Sequence, residues 1–461
     1  MGMSGQSRSK PSEFDAVIVG ASLAGCTAAI KLGRAGARVA LVERRPDPGA
    51  FKRVCSHLIQ GSGVPTLERL GLLDAALELG AVRSHLRVWS RWGWVVAPPD
   101  AVPRALNLRR ELLDPLLRAA ALDAPGVEPL LGHRAERLLR DERDGRVRGV
   151  VVRARGGDLL PLRARLTIGA DGRGSRIAAL AGVPVRTTPH GRFAYGGYFA
   201  GEPPASAPDA SAWFLDPQWA AAFPTDGGLT FYAAMPTKER LPEFRRDPRR
   251  ALVAFVADLP DAPPIRSARP VGPLLGRLEM PNVRHEPVAP GLALVGDAAL
   301  AIDPLWGVGC GWALQSAEWL CDEVGAALAA GPAADRELER GLRAYRRRWR
   351  AQLGPHARAI ESAADGRRAN AGERLVTAAA ARDPRTAARL EAVGARVCSP
   401  LRAFAPGLPR AVAVNVRHAL ARRPRYAPYR GGAAEKPGAE REAGQGCARS
   451  TRRAGVEAVG G

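Results

Sequence analysis

FDAVIVGASLAGCTAAIKLGRAGARVALVE, residues 14–43, compresses a strand, a glycine turn, a helix and a second strand into one unit. Residues 16–19 form a short apolar, β-branched run that stops at Gly20 and reads as a buried strand. Helix formers fill 23–34, and the apolar run 37–42 ends at Glu43, an acid 23 residues after the first glycine. That is a βαβ unit with the spacing of a dinucleotide site. Gly20 permits the tight turn off the strand, and Gly25 lets the helix approach the sheet. The helix N-terminus turns free N–H groups and a partial positive charge toward a pyrophosphate. Glu43 is placed to accept from a ribose hydroxyl. Ser22 stands where G-x-G-x-x-G has its middle glycine; it crowds the phosphate, and its hydroxyl can donate to it. The unit does not say which dinucleotide.

Two further stretches repeat the form of strand, glycine and acid. RLTIGADGRGSRIAALAGVP, residues 165–184, runs from a short strand at 166–168 into Asp171-Gly172 and then a helix. GDAALAIDPLWGVGCGWALQSAEWL, residues 296–320, follows the apolar run 292–295 with Gly296-Asp297, then Pro304, Gly307, Gly309 and Gly311 before a helix. Three strand ends would deliver glycine and acid to one edge, and ligands of open α/β sheets sit at the carboxyl ends of the strands.

Composition excludes several alternatives. At 461 residues, 46% of them hydrophobic, the chain has room for two or three domains or one large α/β domain with an insertion. No apolar stretch reaches the ~18–20 residues of a membrane span, and the polar opening MGMSGQSRSKPSEFD has no signal-peptide core. Six scattered cysteines without a C-x-x-C pair argue for a reducing cytoplasm and against a metal site. The net charge is +22, of which residues 331–461 carry +15. Only five of 68 basic residues are lysine, and no aromatic-rich basic groove accompanies them, so nucleic acid is not an expected partner. A solvated helical face is the plain reading of the basic third; peripheral contact with an acidic partner or a membrane surface is the alternative.

With three motifs in place, the chain resembles the flavoprotein monooxygenases of the p-hydroxybenzoate hydroxylase fold, a group that includes geranylgeranyl reductases and flavin-dependent halogenases. The resemblance spans roughly 14–331. It implies an α/β fold: a discontinuous Rossmann-like FAD-binding domain, an inserted antiparallel-sheet substrate domain and a helical C-terminal region. It also implies that Gly20, Ser22, Gly25, Glu43 and the neighbouring Arg44 hold the ADP half of FAD. Asp171 and Gly172 match a "GADG" turn at the pyrophosphate. Gly296 and Asp297 match a "GD" motif whose Asp takes a ribityl hydroxyl. Pro304, Gly307, Gly309 and Gly311 would let the flavin ring approach the backbone. Arg110, in RELLDPLL, matches an Arg close to the flavin, and Arg53 is a further contact. The Arg that usually closes "GADGxxSxxR" is Ala178 here, which removes an ion pair.

The expected organisation is an FAD-binding domain at 14–185 and 286–330, a substrate domain at 186–285 joined by strands from 82–105, basic helices over 331–430 and a disordered tail at 431–461. Strand patterns at 192–201, 211–216 and 228–236 suggest a sheet over the flavin, with Tyr195, Tyr198, Trp219, Phe223 and Trp306 as candidate lining of an apolar pocket. The resemblance implies NADPH or NADH as transient electron donor, with a separate reductase as the other source, and molecular oxygen as co-substrate. It favours a monooxygenase working through a flavin hydroperoxide on an apolar or aromatic molecule of specialised metabolism. A C=C reductase is the alternative: KRVC (52–55) and the Asp-Pro pattern suit it, but PQWAAAFP (217–224) breaks its P-x-Y-x-W-x-F-P signature. A halogenase, with Lys52 near the flavin, ranks lower because WGWVVAPP (92–99) is misplaced. The rival of another class is a non-catalytic flavin-binding interaction protein. No catalytic side chain is assigned.

Overall fold

The computed structural model describes residues 12–420, and its parallel core grows out of the βαβ unit. Ser12–Val19 lies between Val39–Glu43 and Leu159–Gly169, with all three strands parallel. Val127–Leu131 extends the sheet on one side and Leu292–Leu294 on the other, so its last parallel strand comes from far along the chain. The central stretches 16–19, 39–42, 166–169 and 292–294 are largely apolar and buried on both faces of the sheet, whereas the edge strand Val127–Leu131 is only part-buried. Leu159–Gly169 is longer than its apolar end suggests. Its first half pairs antiparallel with Val147–Arg153, which in turn pairs with Arg134–Arg140. The helix Leu23–Arg34 packs on Gly309–Ala329, which packs on Asp335–Ala364. The buried Tyr345 hydroxyl donates to the Leu294 carbonyl at 2.8 Å, pinning that long helix under the sheet.

The second large sheet has seven strands in the order Arg269–Arg277, Ala194–Ala200, Leu229–Met235, Trp219–Pro224, Ala210–Phe214, Leu86–Ser90 and Gly93–Val95. Its pairings are antiparallel except for Ala210–Phe214 on Leu86–Ser90. Trp219–Pro224 is a central, fully buried strand that the alternation pattern did not reveal, because WAAAFP is apolar throughout and has no period of two. Of residues 82–105, only the middle joins this sheet. Val82–Ser84 pairs instead with Ala105–Asn107, beside Leu58–Ile59.

Beyond Asp335–Ala364 lie three helices, Ala371–Ala380, Pro384–Gly394 and Pro400–Leu420. Asp383 caps the second of them through the Thr386 N–H and takes two hydrogen bonds, 2.8 and 2.7 Å, from Arg410 on the third. The tail expected at 431–461 lies outside the described residues. Among the described residues no helix is long and apolar enough to cross a membrane, and no cluster of metal-ligating side chains occurs.

Candidate active site

A cleft of about 750 Å³ opens where the parallel strands end. Gly20 leaves the first strand at φ 109°, a conformation that a side chain disfavours. A Cβ on Gly25 would stand 1.7 Å from the Gly20 carbonyl oxygen, so only glycine lets the helix start this close to the turn. Gly25 therefore lies behind the cleft, while Gly20 and Ser22 line it.

The cleft wall is held by a charged stripe from one helix, Arg110–Leu122. Arg110 donates to Asp114 (3.0 and 2.5 Å) and to the Ser22 hydroxyl (2.8 Å), and Asp114 also accepts from the Lys52 backbone at 2.8 Å. Arg118 closes the loop from below, giving two bonds to the Ala21 carbonyl and one each to those of Pro48 and Ala50. All three charged groups are buried. Sequence reasoning found Arg110 and missed Asp114 and Arg118. Their four-residue spacing, which stacks them on one face of an otherwise apolar helix, was the available signal.

Glu43 and Arg44 line the cleft. The Glu43 carboxylate accepts from the Ala21 N–H at 2.9 Å and from the Arg45 N–H at 3.0 Å, so it fixes the glycine turn as well as facing the cleft. Asp171 and Gly172 line the cleft too; Ser175 caps the helix that follows, and Asp171 accepts from the Ser175 hydroxyl and from the Ile177 N–H. Ala178, where the motif usually has Arg, is buried. Arg173 supplies a cation nearby instead, donating to the carbonyls of Pro281 (2.6 Å) and Ile302 (2.9 Å).

Asp297 lines the cleft and pairs with Lys52 at 2.8 Å. Burial opposes its charge, but Lys52, with Arg173 and Arg110 behind it, holds the carboxylate below its ordinary range. Gly296 sits behind it, its N–H held by Ser316 at 2.9 Å. Pro304, Gly307 and Gly309 border the cleft, with Gly307 at φ 65° and pressed against Leu58. Gly311 faces Gln60 rather than the cleft, and Arg53 is exposed and outside it. The Asp-Pro step is anchored by Asp303, which is buried against His190 and Arg192 (2.7 Å) and held at about 2 by them despite its burial. Arg192 also donates to the carbonyls of Pro217 and Ala363, so one ion cluster joins the cleft loop, the seven-stranded sheet and the long helix.

A second cavity, about 710 Å³ and mostly apolar, shares Leu58 with the cleft. Trp219 and Trp306 line it, together with Trp92 and Phe214. The other candidate pocket aromatics lie elsewhere. Tyr195 borders the first cleft and stacks on Phe244, and Phe223 is packed in the core. Tyr198 is hydrogen-bonded to His57, whose ring also accepts from the Arg110 N–H at 3.1 Å; burial pushes His57 down to about 4. Their positions depend on strand register, which decides the face each ring takes. Trp306, in the wall of the second cavity, adopts φ 66°, a strained value for a bulky residue, with its carbonyl held by Gln60 at 3.0 Å.

Residues 13–243, half of the chain, match the protein family described as an FAD binding domain. The chain belongs to the FAD-binding domain family. Its relatives are distant. Digeranylgeranylglycerophospholipid reductase 2 of Methanopyrus kandleri is 28% identical over 359 residues, covering 74% of this chain and 83% of that protein. Kynurenine 3-monooxygenase of Salinispora arenicola is 29% identical over 328 residues, 65% and 70% of the two chains. The fold resembles that of a flavin-dependent brominase, with a TM-score of 0.70 at 18% identity over 88% of this chain and 100% of the brominase.

As a member of this family the protein is an FAD-dependent oxidoreductase, and its cleft fits the cofactor. The bare turn at Gly20 and Gly25 leaves the helix end open, in a space that a Cβ at Gly25 would disrupt. Ser22 and the helix end would meet the pyrophosphate, Glu43 the adenosine ribose and Asp297 the ribityl chain. Bound FAD supplies two-electron redox chemistry; the protein's part is to hold it, exclude water and place the substrate.

Proposed function

We propose that the protein is an NAD(P)H-dependent monooxygenase that inserts one atom of molecular oxygen into an apolar or aromatic small molecule, the other atom leaving as water. The observation that carries this reading is the apolar cavity beside the FAD cleft, walled by Trp92, Trp219 and Trp306 and large enough for a polycyclic or polyene body. In it the discontinuous FAD-binding region and the seven-stranded sheet act as cofactor and substrate domains. The direct test is product mass. FAD-loaded enzyme, given NADPH or NADH under labelled oxygen with a panel of apolar aromatics, is expected to yield a product heavier by one labelled oxygen. NAD(P)H oxidation that never transfers oxygen to any of the panel, while a double bond is reduced, would overturn the reading.

Reduction of a C=C bond is the second reading, and one observation favours it. Cys55 and Cys310 line the cleft with their sulfurs 3.5 Å apart and Arg110 3.6 Å from Cys55. The Cys310 thiol, donating to Cys55, and the Arg110 charge lower Cys55 well below the usual thiol range, while Cys310 is raised. A thiol pair of this kind can hold and return a proton at the flavin side of a substrate alkene. Product gain of two hydrogens under anaerobic conditions is its signature.

One group in the cavity wall gives a pH prediction. Burial, reinforced by Asp209 and opposed by the Leu86 backbone, pushes the Glu391 carboxyl up to about 7; His85 stands 3.8 Å away. Folded protein therefore keeps a proton that the unfolded chain has lost, so Glu391 makes stability fall as pH rises from its ordinary 4.5 toward 7. Glu391→Gln is expected to flatten that slope, read by denaturant unfolding at about pH 5 and about pH 8.

A further inference from the structure

The helix Pro400–Leu420 carries an apolar outer face. Leu401, Leu408, Val412, Val416 and Leu420 follow at intervals of seven and four residues, which keeps them on one side of the helix. They are 74, 45, 44, 52 and 78% exposed. Ala403 and Ala411 on the other side are buried, Ala411 against Val376 and Ala379. Arg402, Arg410 and Arg417 sit along one flank, and the helix contains no acidic residue. The charge of Arg410 is matched by Asp383, whereas Arg402 and Arg417 are exposed. The sequence continues through 430 with four more arginines and no acid.

We propose that this helix docks the enzyme on an anionic lipid surface. An apolar stripe flanked by cations is the pattern of a helix that lies in the headgroup plane with its apolar side among the acyl chains. The absence of acidic side chains from the helix suits a negatively charged leaflet. Leu401 and Leu408 also line the apolar cavity, so the docking face and that cavity share two residues. Docking then lets an apolar substrate pass from lipid to cavity without crossing water, a consequence that rests on the reading of the cavity as the substrate site.

The test uses the full FAD-loaded chain and sedimentation with vesicles, and needs no turnover, so it stands apart from the reaction assigned above. The chain is expected to sediment with vesicles of equal parts phosphatidylglycerol and phosphatidylcholine, to stay in solution with phosphatidylcholine alone, and to be released by salt. Arg402→Gln with Arg417→Gln should weaken binding ~30-fold, at roughly fivefold per cation. Val412→Asp with Val416→Asp should abolish it while the flavin absorbance is retained. The proposal is overturned if the wild-type chain ignores anionic vesicles, or if the aspartate variant binds them equally. It is also overturned if the wild-type chain is a dimer that the aspartate pair splits, which would make the face an interface between copies.

Discussion

Gly25→Ala is expected to yield a colourless protein that no longer retains FAD through gel filtration. The added Cβ would meet the Gly20 carbonyl oxygen at 1.7 Å, and the Ala170 side chain stands 3.3 Å away. The nearer clash is with backbone, so no side chain can swing aside; the helix or the turn must move. The expected loss of stability is ~3 kcal/mol, the upper end for overpacking. Movement of the helix also withdraws the N–H groups that would meet the pyrophosphate. Gly156→Ala, where an added Cβ meets nothing within 4 Å, is the control and should stay within about 0.5 kcal/mol of wild type. Denaturant unfolding and FAD titration read both. An alanine at 25 that binds FAD with unchanged affinity would contradict the close approach described here.

Arg110→Ala should be the most damaging change outside the glycine turn. It leaves the Asp114 carboxylate buried without its cation, and an uncompensated buried charge of this kind costs about 3–5 kcal/mol. It also removes the hydrogen bond that Arg110 gives to the Ser22 hydroxyl. Arg110→Lys should recover only part of the loss, because an ammonium cannot span Asp114 and Ser22 as the guanidinium fork does. Arg110→Met combined with Asp114→Asn should be more stable than Arg110→Ala alone, since the stranded charge is gone. If single and double variants unfold at the same denaturant concentration, the pair is not the strut that the geometry indicates.

The parts of this protein legible in its sequence are those written in local periodicity. The βαβ unit is one, since strand, glycine, helix and acid follow within residues 14–43 and need no knowledge of the rest of the chain. The strand ends carrying Asp171 and Asp297 are two more, and the fold brings both to the same cleft. What stayed hidden depends on distant partners. Lys52 and Asp297 are 245 residues apart, and no local signal ties them. His190, Arg192 and Asp303 meet only because a sheet edge closes against the cleft loop. Three of the candidate aromatic residues lie outside the apolar cavity for a third reason. Tyr195, Tyr198 and Phe223 lie on strands, and composition does not say which face of a sheet a ring takes.

The most direct test of the central claim is the visible spectrum of the purified protein, before and after anaerobic addition of NADPH and then NADH. A flavin spectrum that bleaches with one of them, and returns when oxygen is admitted, is the predicted result. A protein that remains colourless after incubation with FAD would contradict the assignment of the cleft, and with it the reaction proposed here.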